Sequence, residues 1–286
     1  MDHVLERSAP QTIAIHPIAG ALGAEISGVD LSGDLSTDTI AEIRQALLDH
    51  LVIFFRDQDI TPARHLAFSR RFGEPVDYPL VKGLDGFPEI VPVVKLEHET
   101  VNFGGLWHSD TTYLARPPMG SILVARELPP YGGDTLFANM VLAYESLSDG
   151  MKRLLCGLKS VSVSNKATTA ATRAERVKSD AKAPPQTVLE AVHPVVRTHP
   201  ETGRKALYVN PAHTVRFENF SEAESAPILD YLFQQQTRPE FTCRFRWAPG
   251  SIAFWDNRAA QHNPINDYHG FKRVMHRITL AGDAPR

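Results

Sequence analysis

Short β-prone runs punctuated by Pro, Gly and Asp constrain this chain most. Beyond residue 88 they follow one another closely as EIVPVVKL, LWHSDTTYL, SILVARE and TLFAN, and after a helical interval as FTCRFRW, SIAFWD and RVMHRITLAG. Runs this short cannot stand alone; they must bury one face against another sheet. Residues 193–210, HPVVRTHPETGRKALYVN, read as a hairpin around Glu201, Thr202 and Gly203. The expected body is therefore a sandwich or jelly roll rather than a helix-alternating parallel sheet.

Helices are concentrated early. From residue 36, Ile40, Ile43, Leu47 and Leu51 recur at helical spacing after a capping Ser36 or Thr37. Thr61-Pro62 opens a second helix that Gly73 closes, helical text returns at about 141–157, and Ser221 to Glu224 form a capping box for a helix reaching about Gln236. TIAIHPIAGALGAEISGVD at 12–30 suggests strands joined by tight turns. Residues 164–187 carry Ala, Thr and Lys but almost no large apolar groups, so a mobile loop is expected there, a candidate lid with one helical turn. No repeat or linker divides the chain, and residues 1–286 read as one α+β domain.

A net charge of −3 over 286 residues leaves no electrostatic footprint for nucleic acid or an anionic membrane. Runs such as LVIFF are too short to span a bilayer, and MDHVLERSAP lacks the apolar core of a signal peptide, so a cytoplasmic protein is expected. Cys156 and Cys243 stand alone, as two small buried hydrophobes rather than a disulfide or thiolate metal site.

In WHSDTTY at 107–113, a strand would project His108 and Asp110 to one face. One imidazole and one carboxylate make two thirds of the 2-His-1-carboxylate triad that holds Fe(II) with positions left open; the plainer reading is a hydrogen-bonded His–Asp pair. His262 follows a strand, Arg273 comes eleven residues later, and Arg277 shares a strand face with Arg273 and Met275. Two guanidiniums in one cavity repel unless anions bind between them, though two ordinary surface salt bridges would also satisfy the pattern. His16, His50, His65, His193 and His199 lack metal-ligand partners at useful spacing and read as structural, as does His276, which points away from Arg277.

With these motifs in hand, the chain resembles the taurine dioxygenase family of Fe(II)- and 2-oxoglutarate-dependent oxygenases. The likeness runs through HPIAGALGAEISGVDLS, VIFFRDQDIT, FSRRFGE, WHSDTTY, PPMGSILVARELPPYGGDTLFAN, HPVVRTHPETGRKALYVN and WDNRAAQHNPINDY followed by RVMHR. It implies a double-stranded β-helix, a distorted jelly roll, with flanking helices. It further implies that His108, Asp110 and His262 ligate Fe(II), and that Thr135 and Arg273 bind the distal carboxylate of 2-oxoglutarate. Arg277 would hold the anionic group of the primary substrate, while Trp107, Trp255, Asp256 and Asn257 would be framework. The implied reaction consumes O2 and 2-oxoglutarate, releases succinate and CO2, and hydroxylates a carbon that then sheds its leaving group.

At the substrate end the chain departs from taurine-using members. Tyr78 stands where they carry a histidine, Val81 where they carry a tyrosine, Gly104 where they carry an asparagine, and His213 where an aromatic closes the pocket. These exchanges imply a small organic anion other than taurine, most simply an organosulfonate, with sulfate esters and aryloxyalkanoates as neighbouring classes. Two other classes stand beside this reading: a zinc hydrolase, against which Thr135 and the Arg273 spacing argue, and a non-catalytic 2-oxoglutarate sensor. Members of the family assemble as dimers or tetramers, so a homo-oligomer is expected.

Overall fold

The computed structural model describes residues 12–79, 81–172 and 188–286. Its largest sheet has eight strands. In chain order they are β1 (Ala14–Pro17), β2 (Ala24–Ser27), β3 (Val52–Phe55), β4 (Pro75–Val76), β5 (Ile90–Lys95), β6 (Gly120–Glu127), β14 (Ile252–Asp256) and β16 (Arg273–Leu280). The lateral order is β1-β2-β3-β14-β6-β16-β4, with β5 also on β16; only β2 and β3 run parallel. A second sheet of three strands, β13-β7-β15, is built from Thr242–Phe245, Thr135–Asn139 and Ala260–Pro264.

Aromatic side chains join the two sheets. Phe54 of β3 stacks on Phe245 of β13 with ring centroids 3.9 Å apart and meets Phe137 of β7 edge-on at 5.6 Å, while Trp255 of β14 lies 5.8 Å from Phe137. The opposite face of the large sheet is covered by helices α1 (Thr37–His50) and α2 (Pro62–Arg70) and the turn after α2, through Ile43, Leu47, Phe68 and Phe72. Strand β14 is thus covered on both faces, which is why Ile252–Asp256 is buried at every position instead of alternating. A jelly-roll body with segregated helices is what the strand-rich text implied.

Local signals in the sequence act where expected. The Ser36 side chain accepts the Thr39 N–H, Thr61 accepts that of Arg64 with Pro62 in the first turn, and Ser221 and Glu224 form a complete capping box on helix Glu222–Gln236. The helical text near 141–157 divides into α3 (Met140–Glu145) and α4 (Asp149–Leu155), because Ser148 caps a new start. Strands β10 (Val196–Thr198) and β11 (Lys205–Leu207) make the hairpin, and β8 (Lys159–Val163), β9 (Glu190–Pro194) and β12 (Thr214–Phe217) form a further sheet in the order β12-β8-β9.

Two expectations need correcting. Residues 107–113 are not a strand: His108 alone makes a bridge, Thr111 takes φ +44, and 110–113 is turn. Cys156 is exposed; Cys243 alone is buried, and burial pushes its thiol up to about 12. In 164–187 a helical turn stands at 167–172, where Lys166 Nζ donates to the carbonyls of Pro211 and Thr214, and Thr169 Oγ1 donates to that of Ala212. Polar contacts with backbone carbonyls hold it where apolar side chains are scarce. Residues 173–187 of the candidate lid lie outside the described residues.

Candidate active site

His108 and His262 are brought together by backbone. Each donates its N–H to the other's carbonyl, at 3.0 and 2.8 Å, which makes an isolated antiparallel bridge between the 107–113 segment and β15. Their rings lie 4.1 Å apart between centroids. His108 Nδ1 is 2.6 Å from the Leu106 carbonyl, and a carbonyl can only accept; Nδ1 therefore carries the proton and Nε2 keeps its lone pair for a ligand. That Nε2 lies 3.7 Å from Asp110 Oδ1. Burial, with the charge of Arg277 nearby, holds His262 well below the usual imidazole range, so its ring is neutral and able to ligate.

Asp110 is fixed from three sides. Ser121 Oγ of β6 donates to its Oδ2 at 2.7 Å, Asn257 Nδ2 donates to the same oxygen at 3.3 Å, and Arg277 Nη1 donates to Oδ1 at 2.9 Å. Asn257 Oδ1 accepts the backbone N–H of Asp110 and the indole N–H of Trp255. Burial alone would raise the carboxyl, but the Arg277 guanidinium beside it holds it well below the usual range. Asp256 sits one step further out, accepting from His199 Nε2 and from Arg258, and so braces the turn between β14 and β15. Trp107 is half-buried against the main core.

Among the described residues, His108, Asp110 and His262 form one buried cluster whose ligand atoms all lie within 4.8 Å of one another. Two nitrogens and one carboxylate oxygen, bordering a cavity on one side, suit Fe(II) with coordination positions left open. Arg273 and Arg277 line the same cavity, each about 5 % exposed. Among the described residues, Arg273 Nε and Nη2 and Arg277 Nε and Nη2 have no hydrogen-bond partner. Buried guanidinium donors left unmatched are costly unless an anion takes them, so the cavity is prepared for two anionic groups. Thr135 opens β7 beside Arg273, its hydroxyl accepting from Trp247 Nε1 at 3.0 Å. Gly133, with φ +69, lets that turn pass: a Cβ there would meet Tyr268 at 3.2 Å and Arg273 Cδ at 3.3 Å.

Of the residues expected at the substrate end, three reach the cavity. Tyr78, Gly104 and His213 line a lobe with Arg277, whose guanidinium stands 5.0 Å over the Tyr78 ring. Gly104 has φ +70, and a Cβ there would come within 3.2 Å of His108 Cε1. Val81 does not line either lobe; it packs behind the wall with Tyr78 and Val91. Sequence reasoning missed Ser121, because a serine inside an apolar strand carries no distinguishing pattern, and it missed Tyr113, which lines the same lobe as Tyr78 and His213.

A family model described as taurine catabolism dioxygenase TauD, TfdA family matches residues 14–279. This chain belongs to that family. It is 37% identical to an alpha-ketoglutarate-dependent sulfate ester dioxygenase of Pseudomonas putida, over 100% of the chain and 95% of the relative. It is also 37% identical to an alkylsulfatase of Acinetobacter baylyi, over 96% and 86%. A crystal structure of a taurine dioxygenase from Burkholderia xenovorans superposes with a TM-score of 0.81 at 40% identity, over 96% of this chain and 91% of that one. The dioxygenase is accordingly an oxidoreductase that uses 2-oxoglutarate, Fe(II) and O2. None of its described helices is long and apolar enough to cross a membrane.

Proposed function

We propose that His108, Asp110 and His262 hold the Fe(II), that Thr135 and Arg273 bind the distal carboxylate of 2-oxoglutarate, and that Arg277 binds the head group of a small organic anion. The substrate is an organosulfonate other than taurine. The observation that carries this reading is the buried His-Asp-His cluster sharing one cavity with two guanidiniums, each of which keeps two donors, Nε and Nη2, without a partner among the described residues. A second reading, an alkyl sulfate ester bound in the same way, is favoured by the names of the two 37%-identical relatives.

When bound, Fe(II) with 2-oxoglutarate and O2 supplies the oxidation, leaving succinate and CO2 and placing one oxygen atom into a substrate C–H bond. The chain's own residues decide which bond. Arg277 fixes the sulfonate, so the carbon attached to sulfur is held beside the ligand cluster. Phe103, Leu106 and Tyr78 wall the lobe and keep water from it. Once that carbon bears a hydroxyl, its C–S bond breaks as the O–H proton leaves: an aldehyde forms and sulfite departs with the bonding pair. For a sulfate ester the C–O bond breaks and sulfate departs.

Residues 1–286 act in this reading as one dioxygenase domain of a cytoplasmic homodimer or homotetramer, which light scattering can test. The function is tested by succinate formation from 2-oxoglutarate with Fe(II), ascorbate and air over taurine, longer alkanesulfonates, alkyl sulfates and aryloxyalkanoic acids. Stimulation by one sulfonate or sulfate, with equimolar sulfite or sulfate, is expected. Fast sulfite release from low concentrations of taurine would refute the assigned specificity, and stimulation by none of these anions would refute the function.

A further inference from the structure

Lys95 is the last residue of β5 and the direct cross-strand partner of Arg273 on β16. Directly opposed residues hold their Cβ atoms about 4.5–5.5 Å apart, and like charges so placed are destabilising. Both side chains are buried, Lys95 at 3 % exposure and Arg273 at 5 %. Both line the cavity beside the ligand cluster, and among the described residues neither Lys95 Nζ nor Arg273 Nε and Nη2 has a hydrogen-bond partner. Lys95 Nζ stands 4.5 Å over the Tyr268 ring, whose hydroxyl donates to Asn102. The nearby carboxylate of Asp134 is engaged by Arg244. Two buried cations face each other across a ladder with no anion of the described residues between them.

The register also says which ligand they await. Arg277 pairs with Val91, four residues before Lys95, which is about 13 Å along the strand. Lys95 is therefore at the Arg273 and Thr135 end of the cavity, not at the Arg277 end. We propose that Lys95 is a second cation for the distal carboxylate of 2-oxoglutarate, closing on it from the strand opposite Arg273. The assignment rests on the proposed 2-oxoglutarate site. A carboxylate there accepts from Arg273 on one oxygen edge and from Lys95 on the other, and it removes the repulsion between them.

Calorimetric titration of Mn(II)-loaded protein with 2-oxoglutarate and with 2-oxopentanoate, which lacks the distal carboxylate, tests the assignment. Lys95→Met should lower 2-oxoglutarate affinity about ten- to a hundredfold and leave 2-oxopentanoate affinity unchanged, with Lys95→Arg recovering most of the loss. The ligand-free Lys95→Met protein should melt at or above the wild-type temperature, because a buried like charge has been removed. Retention by Lys95→Met of the wild-type preference for 2-oxoglutarate would overturn the Lys95 assignment alone. Equal losses for both ligands, or a much lower melting temperature, would make the lysine structural and overturn it too. Failure of the wild type to prefer 2-oxoglutarate would remove the proposed co-substrate site and this assignment with it.

Discussion

Replacing Ser121 by alanine should weaken metal binding without touching a ligand. Ser121 is fully buried on β6, and its hydroxyl donates to Asp110 Oδ2 at 2.7 Å while accepting from Asn257 Nδ2 at 3.2 Å. A hydrogen bond to a charged group contributes about 1.5–3 kcal/mol. Alanine keeps the Cβ and leaves a void no larger than a hydroxyl, and Asn257 Nδ2 still reaches the carboxylate at 3.3 Å. The cost divides between two readouts. With one restraint gone Asp110 can rotate, and that freedom must be surrendered when a metal binds; affinity should fall about ten- to a hundredfold, as for other residues that orient ligands. The remainder appears as lower stability of the metal-free protein, about 2–4 °C of melting temperature per kcal/mol. Titration with Mn(II) and scanning calorimetry separate the two. Unaltered metal affinity beside a lowered melting temperature would confine Ser121 to folding, and no change in either would refute the network itself.

Arg277→Leu should cut kcat/KM for the sulfonate or sulfate about a hundredfold through the lost ion pair with its head group, while binding of 2-oxoglutarate, read by calorimetry, persists; equal loss of both would contradict separate roles for Arg273 and Arg277. Gly104→Ala forces φ +70 on a residue with a Cβ and puts that carbon 3.2 Å from the His108 ring, so metal affinity should drop with no comparable loss of melting temperature; full affinity would show that the loop yields freely. Burial and then Arg126 push His65 down to about 3 and His276 down to about 4. Both imidazoles bind protons more weakly folded than unfolded, where a histidine titrates near 6.5. Their stabilisation is complete above pH ~6.5 and is lost as the pH falls through that value toward the folded ones. Depressed carboxylates such as Asp110 and Asp256 add a further loss only below pH ~4. Melting temperature should begin to decline near pH 6.5, and a flat profile down to pH 4.5 would contradict the assignment.

Much of the architecture was legible because caps and periodicity are local. Ser36, Thr61 and the Ser221–Glu224 box each mark a helix start through contacts within three residues, and the alternation around Arg273, Met275 and Arg277 correctly puts all three on the buried face of β16. The ligand residues were legible through their motif and spacing, but the reason they converge was not. His108 and Asp110 meet through a turn with Thr111 at φ +44 and a bridge to His262, and a partner 154 positions away leaves no trace in local periodicity. Val81 shows the same limit from the other side: aligned with a pocket position, it packs behind Tyr78. Lys95 was illegible for a third reason. Its meaning comes from its register partner Arg273, and β5–β16 pairing is a tertiary fact.

The strand order of the large sheet has a consequence for biosynthesis. Its last two strands in the chain, β14 and β16, are interior: β14 lies between β3 and β6, and β16 joins β6 to β4 and β5. A nascent chain released only as far as residue 250 holds the edges of β3, β5 and β6 apart, with no way to close the gap from within. His262, Arg273 and Arg277 arrive in the same closing stretch that zips those edges together. Iron capture, co-substrate recognition and completion of the sheet thus become one late event of high contact order, so a ribosome-bound fragment is spared a half-assembled centre able to meet iron and oxygen.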